Sequence, residues 1–283
     1  MEVTFWGVRG SIPSPGPATV RYGGNTACVS VRLHGGELVV LDCGTGARNL
    51  GLQLLSGPMG QGRGRATFLL SHAHWDHIQG FPFFAPFYVS GNAFTLYGGD
   101  RGQVRLDEIL EGQMAAQYFP VQTIKNMGAR IEMRAVTPGE PFALAGCTVR
   151  AQALPHGTTP AFAFRIEAGG RVLTYASDAG YGPEGPSAAA VDICRGADLL
   201  IHDSTYTPED RALRTSRGLS SLEEAVACAV RAQVHKLALF HYDQDYSDRQ
   251  VDELVARGRR LLDERGGAHV QIVGAAEGLT LSL

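Results

Sequence analysis

The stretch Phe68-Leu69-Leu70-Ser71-His72-Ala73-His74-Trp75-Asp76-His77 sets four metal-ligating side chains within six residues, directly after a short apolar run. His72 and His74 are two apart, so in extended chain both project to the same side. Asp76 and His77 follow where a strand must end in a turn or open a helix, and the donors therefore fan out from one point. Imidazole and carboxylate both suit Zn²⁺, and a closed structural site has no need of this density of them. With nine histidines in 283 residues, three in so short a span is a poor fit to chance.

Working outward, the same pattern recurs. Apolar strands end in Asp42, in His72, in Asp178, in His202-Asp203 and in His241. Strands of one sheet with their ends on one side would pool these residues in a single crevice, as in many α/β proteins. Glu2 to Val8 has the alternation of an edge strand, 27–33 and 38–41 flank a hairpin turn at His34-Gly35-Gly36-Glu37, and 47–55 reads as a helix. Two prolines make Phe81–Tyr88 an irregular aromatic segment, and 105–119 carries helix formers interrupted by Gly112. Strands are expected over 93–97, 130–135, 142–153, 161–168, 171–177 and 198–203. A helix is expected over 220–232, its start resembling a capping box from Ser220 to Glu223. Strand 236–240 and helix 248–264 follow, and 271–273 with 279–283 close the sheet.

Length permits one large domain or two average ones; no Pro/Ser-rich linker or charge block divides the chain, so 1–283 is expected to be a single domain. The hydrophobic content of 44% is ample for a core. The N-terminus lacks the basic and apolar regions of a signal peptide, and no run approaches a membrane span. Five scattered cysteines without a C-x-x-C pair read as reduced core residues, and a cytoplasmic location is expected. A net charge of −3, from 25 basic and 28 acidic residues, gives no footprint for gripping a long nucleic acid.

His72-x-His74-x-Asp76-His77 after an apolar strand resembles the motif of the metallo-β-lactamase-fold hydrolases. The resemblance implies an α/β, four-layer αββα sandwich of two mixed β-sheets with a two-metal site along one edge. His156 in Leu154-Pro155-His156-Gly157, Asp178 at the end of Leu173-Thr174-Tyr175-Ala176-Ser177-Asp178, and His241 after Leu239-Phe240 match the family's later motifs. By resemblance, one metal is held by His72, His74 and His156, the other by Asp76, His77 and His241, and Asp178 bridges both. Asp42 matches the position where an Asp supports a ligand from behind. Two divalent ions are thus expected, Zn²⁺ first, with Mn²⁺ also permitted by the ligand types.

His74 stands where the oxygen-reducing di-iron members carry a carboxylate, which favours hydrolysis. Leu200-Ile201-His202-Asp203-Ser204-Thr205-Tyr206 resembles the His-Glu-Ala-Thr segment of the tRNA 3′-processing and phosphodiesterase branch. Gly10-Ser11-Ile12-Pro13 with Gly24-Asn25-Thr26 resembles the opening of the same branch. Gly218-Leu219-Ser220-Ser221 departs from that branch's Gly-His-Ser-Thr, so its usual proton donor is absent; His202 could serve instead, or a metal-bound leaving oxygen needs no acid, and Asp203 is a candidate ligand-side or supporting carboxylate. Only a strand–turn–strand separates His156 from Asp178, leaving no room for the long tRNA-binding arm. The expected activity is hydrolysis of a small phosphodiester, a cyclic nucleotide being one candidate. A metal-bridging hydroxide would attack phosphorus, with Asp76 orienting it. Arg9, Arg21 and Asn25 are candidate phosphate contacts; Tyr118 and the aromatic segment 81–88 could wall a pocket, though such a stripe is more often core. The alternatives are a thioester or lactone hydrolase using the same metals, and a metal-dependent sensor without turnover. Relatives are often dimers, so a homodimer is an open expectation.

Overall fold

The computed structural model describes residues 1–99, 105–121, 123–144, 146–213 and 218–283. Strands β1 (Glu2–Gly7), β2 (Cys28–Arg32), β3 (Leu38–Leu41), β4 (Arg65–Leu69), β5 (Ala93–Gly98) and β6 (Arg130–Ala135) lie in one sheet. Strands β7 (Pro141–Leu144), β8 (Cys147–Leu154), β9 (Ala161–Ala168), β10 (Arg171–Ala176), β11 (Leu199–Asp203), β12 (Lys236–Phe240) and β13 (Gln271–Gly274) form the second. The last strand, β14 (Thr280–Ser282), returns to the first sheet beside β1.

The two sheets repeat one pairing pattern. In the first, β14-β1-β2-β3 are antiparallel and β3-β4-β5-β6 parallel. In the second, β7-β8-β9-β10 are antiparallel and β10-β11-β12-β13 parallel. The parallel strands β3 and β4 of one sheet, and β10, β11 and β12 of the other, deliver the polar strand ends to a common edge.

Strand periodicity explains the layers. Along β3, Val39 and Leu41 enter the core shared with the second sheet, while Leu38 and Val40 enter a separate cluster with α1 (Gly46–Leu54) and the phenylalanines of the aromatic segment. The α2 turn (Trp75–Ile78) follows the metal-ligating stretch, and α3 (Leu106–Gly112) belongs to the same outer layer. Beyond the second sheet lie α4 (Ala188–Cys194), α6 (Leu222–Arg231) and α7 (Asp248–Glu264), with the short α5 (Pro208–Leu213) between α4 and α6 in sequence. The result is a four-layer αββα sandwich of two mixed seven-stranded sheets.

Several local expectations change. β1 is not an edge strand, because β14 covers it. The strand expected over 142–153 is a hairpin; Gly146 takes φ +79 in its turn, and residue 145 lies outside the described set. The helix over 105–119 stops at Gly112, where helix propensity is lowest. The capping box of α6 sits one residue later, from Ser221 to Glu224, because Ser220 donates its N–H to Asp203 and its hydroxyl to the Ala179 carbonyl. The aromatic segment forms two 3₁₀ turns, with Phe81, Phe84 and Phe87 fully buried against Phe68. It is core, not a pocket wall.

Candidate metal centre

Three strand ends turn into the site through an uncommon backbone. Asp42, Asp178 and His241 have φ of 57°, 59° and 58°. The left-handed region is unfavourable for residues with a Cβ, by about 1–2 kcal/mol. Ser11, at φ 69°, adds a fourth such residue, and among the described residues Gln233 is the only other non-glycine with positive φ. Strain of this kind persists where surrounding contacts over-determine it. Here it swings each side chain off the strand axis toward one point.

Two groups of donors result: His72, His74 and His156, and Asp76, His77, Asp178 and His241. In each group the donor atoms lie within 4.8 Å of one another. Asp178 touches both, with Oδ2 at 3.2 Å from His72 Nε2 and 2.8 Å from His77 Nε2, and Oδ1 at 3.1 Å from His241 Nε2.

Hydrogen bonds around the rim settle which imidazole nitrogens face inward. Asp42 accepts from Ser71 Oγ (2.8 Å), Tyr175 Oη (2.7 Å) and His77 Nδ1 (2.7 Å) on one oxygen, and from the Ser71 N–H (2.7 Å) on the other. With its own proton on Asp42, Ser71 Oγ accepts from His72 Nδ1 at 3.0 Å. His156 Nδ1 donates to the Gly218 carbonyl (2.7 Å). Thr205 Oγ1 donates to the His241 carbonyl (2.8 Å), so it accepts from His241 Nδ1 (3.1 Å). The Nε2 atoms of His72, His77, His156 and His241 therefore present their remaining valence to the cluster, as metal-binding imidazoles do.

The spacing of these donors tests whether a cation fits. Donors about 2.0–2.1 Å from a tetrahedral Zn²⁺ are about 3.3 Å from each other. His74 Nδ1 lies 3.0 Å from His72 Nε2 and 2.9 Å from His156 Nε2. In the second group, His77 Nε2 lies 3.3 Å from His241 Nε2 and 3.4 Å from Asp76 Oδ2, which is 3.0 Å from His241 Nε2. These five separations lie within a few tenths of an ångström of a tetrahedron's edge. Donor type and spacing suit divalent metal.

The electrostatics agree. Burial, with the neighbouring imidazoles, pushes His72 and His74 below the usual histidine range. Burial opposes ionisation of Asp76 and Asp178, but His77 and His241 outweigh it and hold both carboxyls below their usual range. Burial likewise opposes charge on His77 and His241, and the facing carboxylates outweigh it and raise both. This half of the cluster demands positive charge, which protons supply or a cation supplies in their place.

A cavity of about 560 Å³ opens over the cluster, lined also by Ser11, Trp75, Gly157, Thr158, Leu219 and Gln244. The Ser11 N–H donates to Asp76 Oδ2 at 2.7 Å. Gly10 lets the chain pass His241 closely, since a Cβ there would stand 2.2 Å from the imidazole.

Other expected site residues lie elsewhere. His202 does not face the cavity; it is fully buried, with Nδ1 donating to its neighbour's carbonyl (2.7 Å) and Nε2 against Tyr181 Oη (2.8 Å), beside Cys228. Asp203, equally buried, accepts the N–H groups of Ala179 (3.2 Å) and Ser220 (2.7 Å). It thus ties together the loops that carry Asp178 and the Gly218 carbonyl. Arg9 is fully buried, donates to the carbonyls of Gly23 (2.8 Å) and Tyr246 (2.6 Å), and does not line the cavity. Arg21 pairs with Asp252 and Asn25 with Glu277 (2.9 Å), away from the cavity lining. Tyr118 is exposed and does not line the cavity either. Sequence reasoning does not single out Ser71, Tyr175, Thr205 or Ser11 as functional, although each lies inside one of the motif stretches.

Among known proteins, the model of the beta-lactamase superfamily domain matches residues 38–242. Ribonuclease Z of Synechococcus sp. (strain WH7803) is 27% identical over 297 residues, covering 87% of this chain and 86% of that protein. Of solved structures, the metallo-beta-lactamase fold protein YhfI from Bacillus subtilis is similar with a TM-score of 0.72 at 19% identity, over 99% of this chain and 98% of its own. The short form of human tRNase Z is similar with a TM-score of 0.67 at 21% identity, over 100% and 99%.

Proposed function

The chain belongs to the beta-lactamase superfamily, as a hydrolase of metallo-β-lactamase fold, and from that premise we propose that it is a two-metal phosphodiesterase of small substrates, cyclic nucleotides among them. The observation that carries this reading is the donor set: imidazole nitrogens and two carboxylates converge in two adjoining groups, with Asp178 touching both. His72, His74 and His156 would hold one divalent ion, Asp76, His77 and His241 the other, and Asp178 would join them. Zn²⁺ fits the donor types, and Mn²⁺ is the alternative. Bound there, two such ions supply an activated water nucleophile at neutral pH and draw charge from the phosphoryl oxygens.

The chain's own groups do the rest. Asp42, Thr205 and the Gly218 carbonyl hold imidazole protons on the outer nitrogens, which keeps the inner ones as donors. The Ser11 N–H occupies Asp76 Oδ2, leaving Oδ1 to accept a hydrogen bond from water in the cavity and so orient it. Leu219 carries no proton and His202 lies outside the cavity, so substrates whose leaving oxygen is stable as an anion should react fastest. The kinship with ribonuclease Z favours phosphorus over carbonyl carbon as the electrophile, and the short His156–Asp178 connection favours a small substrate over tRNA.

The test is hydrolysis of bis(p-nitrophenyl) phosphate by metal-loaded wild type beside Asp178→Ala and His74→Ala, with metal content measured on the same samples. Turnover by wild type alone, with metal lost from the variants, is expected. A metal-free variant that remains active would sink the assignment. Loaded wild type that cleaves thioesters or lactones but no phosphodiester would replace the substrate class.

A further inference from the structure

Trp75 opens α2 between His74 and Asp76, one residue from a donor of each group. Its position is stiff: the His77 N–H returns to the His74 carbonyl (3.0 Å) and the Gln79 N–H to the Trp75 carbonyl (2.7 Å). The residue nevertheless stands 73% exposed at the wall of the cavity. Single exposed apolar side chains are ordinary on a surface. One lining the cavity above a cluster of metal-binding groups calls for a ligand that covers it. The contrast with Trp6 is direct, since that indole N–H donates to Ser30 Oγ at 2.8 Å. Among the described residues, Trp75 has neither a hydrogen bond from its indole nor a ring stacked on it. The remaining lining side chains outside the donor groups are neutral: Ser11, Thr158, Leu219 and Gln244. The Ser11 and Thr158 hydroxyls and the Gln244 amide likewise make no described hydrogen bond.

The cavity thus has two unlike halves. The floor of imidazoles and carboxylates suits cations and, through them, an anionic phosphate. The wall offers an aromatic face with uncharged donors and acceptors, which suits a planar, neutral, hydrogen-bonding group. We propose that Trp75 is the stacking platform for a nucleobase, which makes nucleoside phosphodiesters, rather than diesters of sugars or lipids, the substrate class. This rests on the phosphodiesterase reading above. Base–aromatic stacking is tolerant of base identity, so the proposal predicts a nucleotide enzyme of broad base preference. Trp75 acts by holding substrate in place; its effect belongs in binding.

The chain has two tryptophans, so Trp6→Phe leaves Trp75 as the sole indole reporter. The metal-loaded Trp6→Phe protein is titrated with adenosine 5′-monophosphate and, separately, with ribose 5-phosphate. Saturable quenching by the nucleotide and little change with the sugar phosphate are expected. Calorimetry on the otherwise native chain then compares wild type, Trp75→Phe and Trp75→Ala. Trp75→Ala should weaken the nucleotide about tenfold, ~1.4 kcal/mol, leave ribose 5-phosphate unchanged, and Trp75→Phe should retain most of the affinity. Equal affinity of wild type for the two ligands, or unchanged nucleotide affinity in Trp75→Ala, overturns the proposal even if bis(p-nitrophenyl) phosphate is cleaved. Binding of neither ligand together with no cleavage overturns the phosphodiesterase reading and this proposal with it.

Discussion

Asp42→Asn is the perturbation that examines the site most closely. Asp42 is fully buried and accepts four hydrogen bonds, three on Oδ2 and one on Oδ1. An amide is nearly the same size, and Asn tolerates φ 57° at least as well as Asp, so the backbone should stay. The amide nitrogen, however, must face donors whichever way it turns: His77, Ser71 and Tyr175 on one side, or the Ser71 N–H on the other. At least one buried donor is left unmatched, a loss of about 1–3 kcal/mol, and the charge assistance of the others is lost as well. His77 then has no carboxylate to hold its proton on Nδ1, and its Nε2 is no longer kept as a donor to the cluster. Loss of such an outer partner typically weakens metal binding by about 10–100-fold. A total loss of about 3 kcal/mol, against an unfolding entropy of about 2.1 cal/mol/K per residue, lowers Tm by roughly 5 °C in a chain this long. The assay is a chelator competition for metal affinity, with thermal unfolding on the same loaded samples. An Asp42→Asn protein that keeps wild-type metal affinity and a Tm within about 1 °C of wild type refutes the reasoning.

Three further outcomes follow from the same geometry. His202→Gln should keep phosphodiesterase activity per folded molecule while losing about 1–3 kcal/mol of stability, because its ring bonds within the core; a large fall in kcat at unchanged fold would restore it as proton donor. Gly10→Ala should displace the His241 imidazole, since the new methyl would stand 2.2 Å from it, and lower metal occupancy by about tenfold or more; wild-type metal content would show that the loop gives way instead. Arg9→Ala should destabilise by about 2–4 kcal/mol through the carbonyls of Gly23 and Tyr246 left without their donor, with KM unaffected in the folded fraction; a selective rise in KM would return Arg9 to the substrate.

The donor inventory, most of the strands, the helices near 47–55, 220–232 and 248–264 and the fold that the motif implies were legible in the chain's local pattern, whereas α4, α5 and the split of 142–153 into two strands were not. The reason is local. His72, His74, Asp76 and His77 fall within one turn of chain, so their convergence needs only a strand end. Helix α7 follows the 248–264 pattern because an amphipathic run with a serine cap is specified by neighbouring residues. Which polar strand ends enter the site depends on long-range packing. All five residues of β11 are buried, so no alternation of polarity reveals which face meets what. The strand's pleat sends His202 to Tyr181 and Cys228, and Asp203 to the Ala179 and Ser220 amides. Arg9 and Asn25 were likewise unreadable, since Tyr246 and Glu277 lie more than 200 positions away from them, and of the named partners only Gly23, for Arg9, is near in sequence. The left-handed turns at Asp42, Asp178 and His241 have no local cause either. They hold because two sheets of the same pairing pattern bring their parallel strand ends to one edge, where packing and hydrogen bonds outweigh the backbone's own preference.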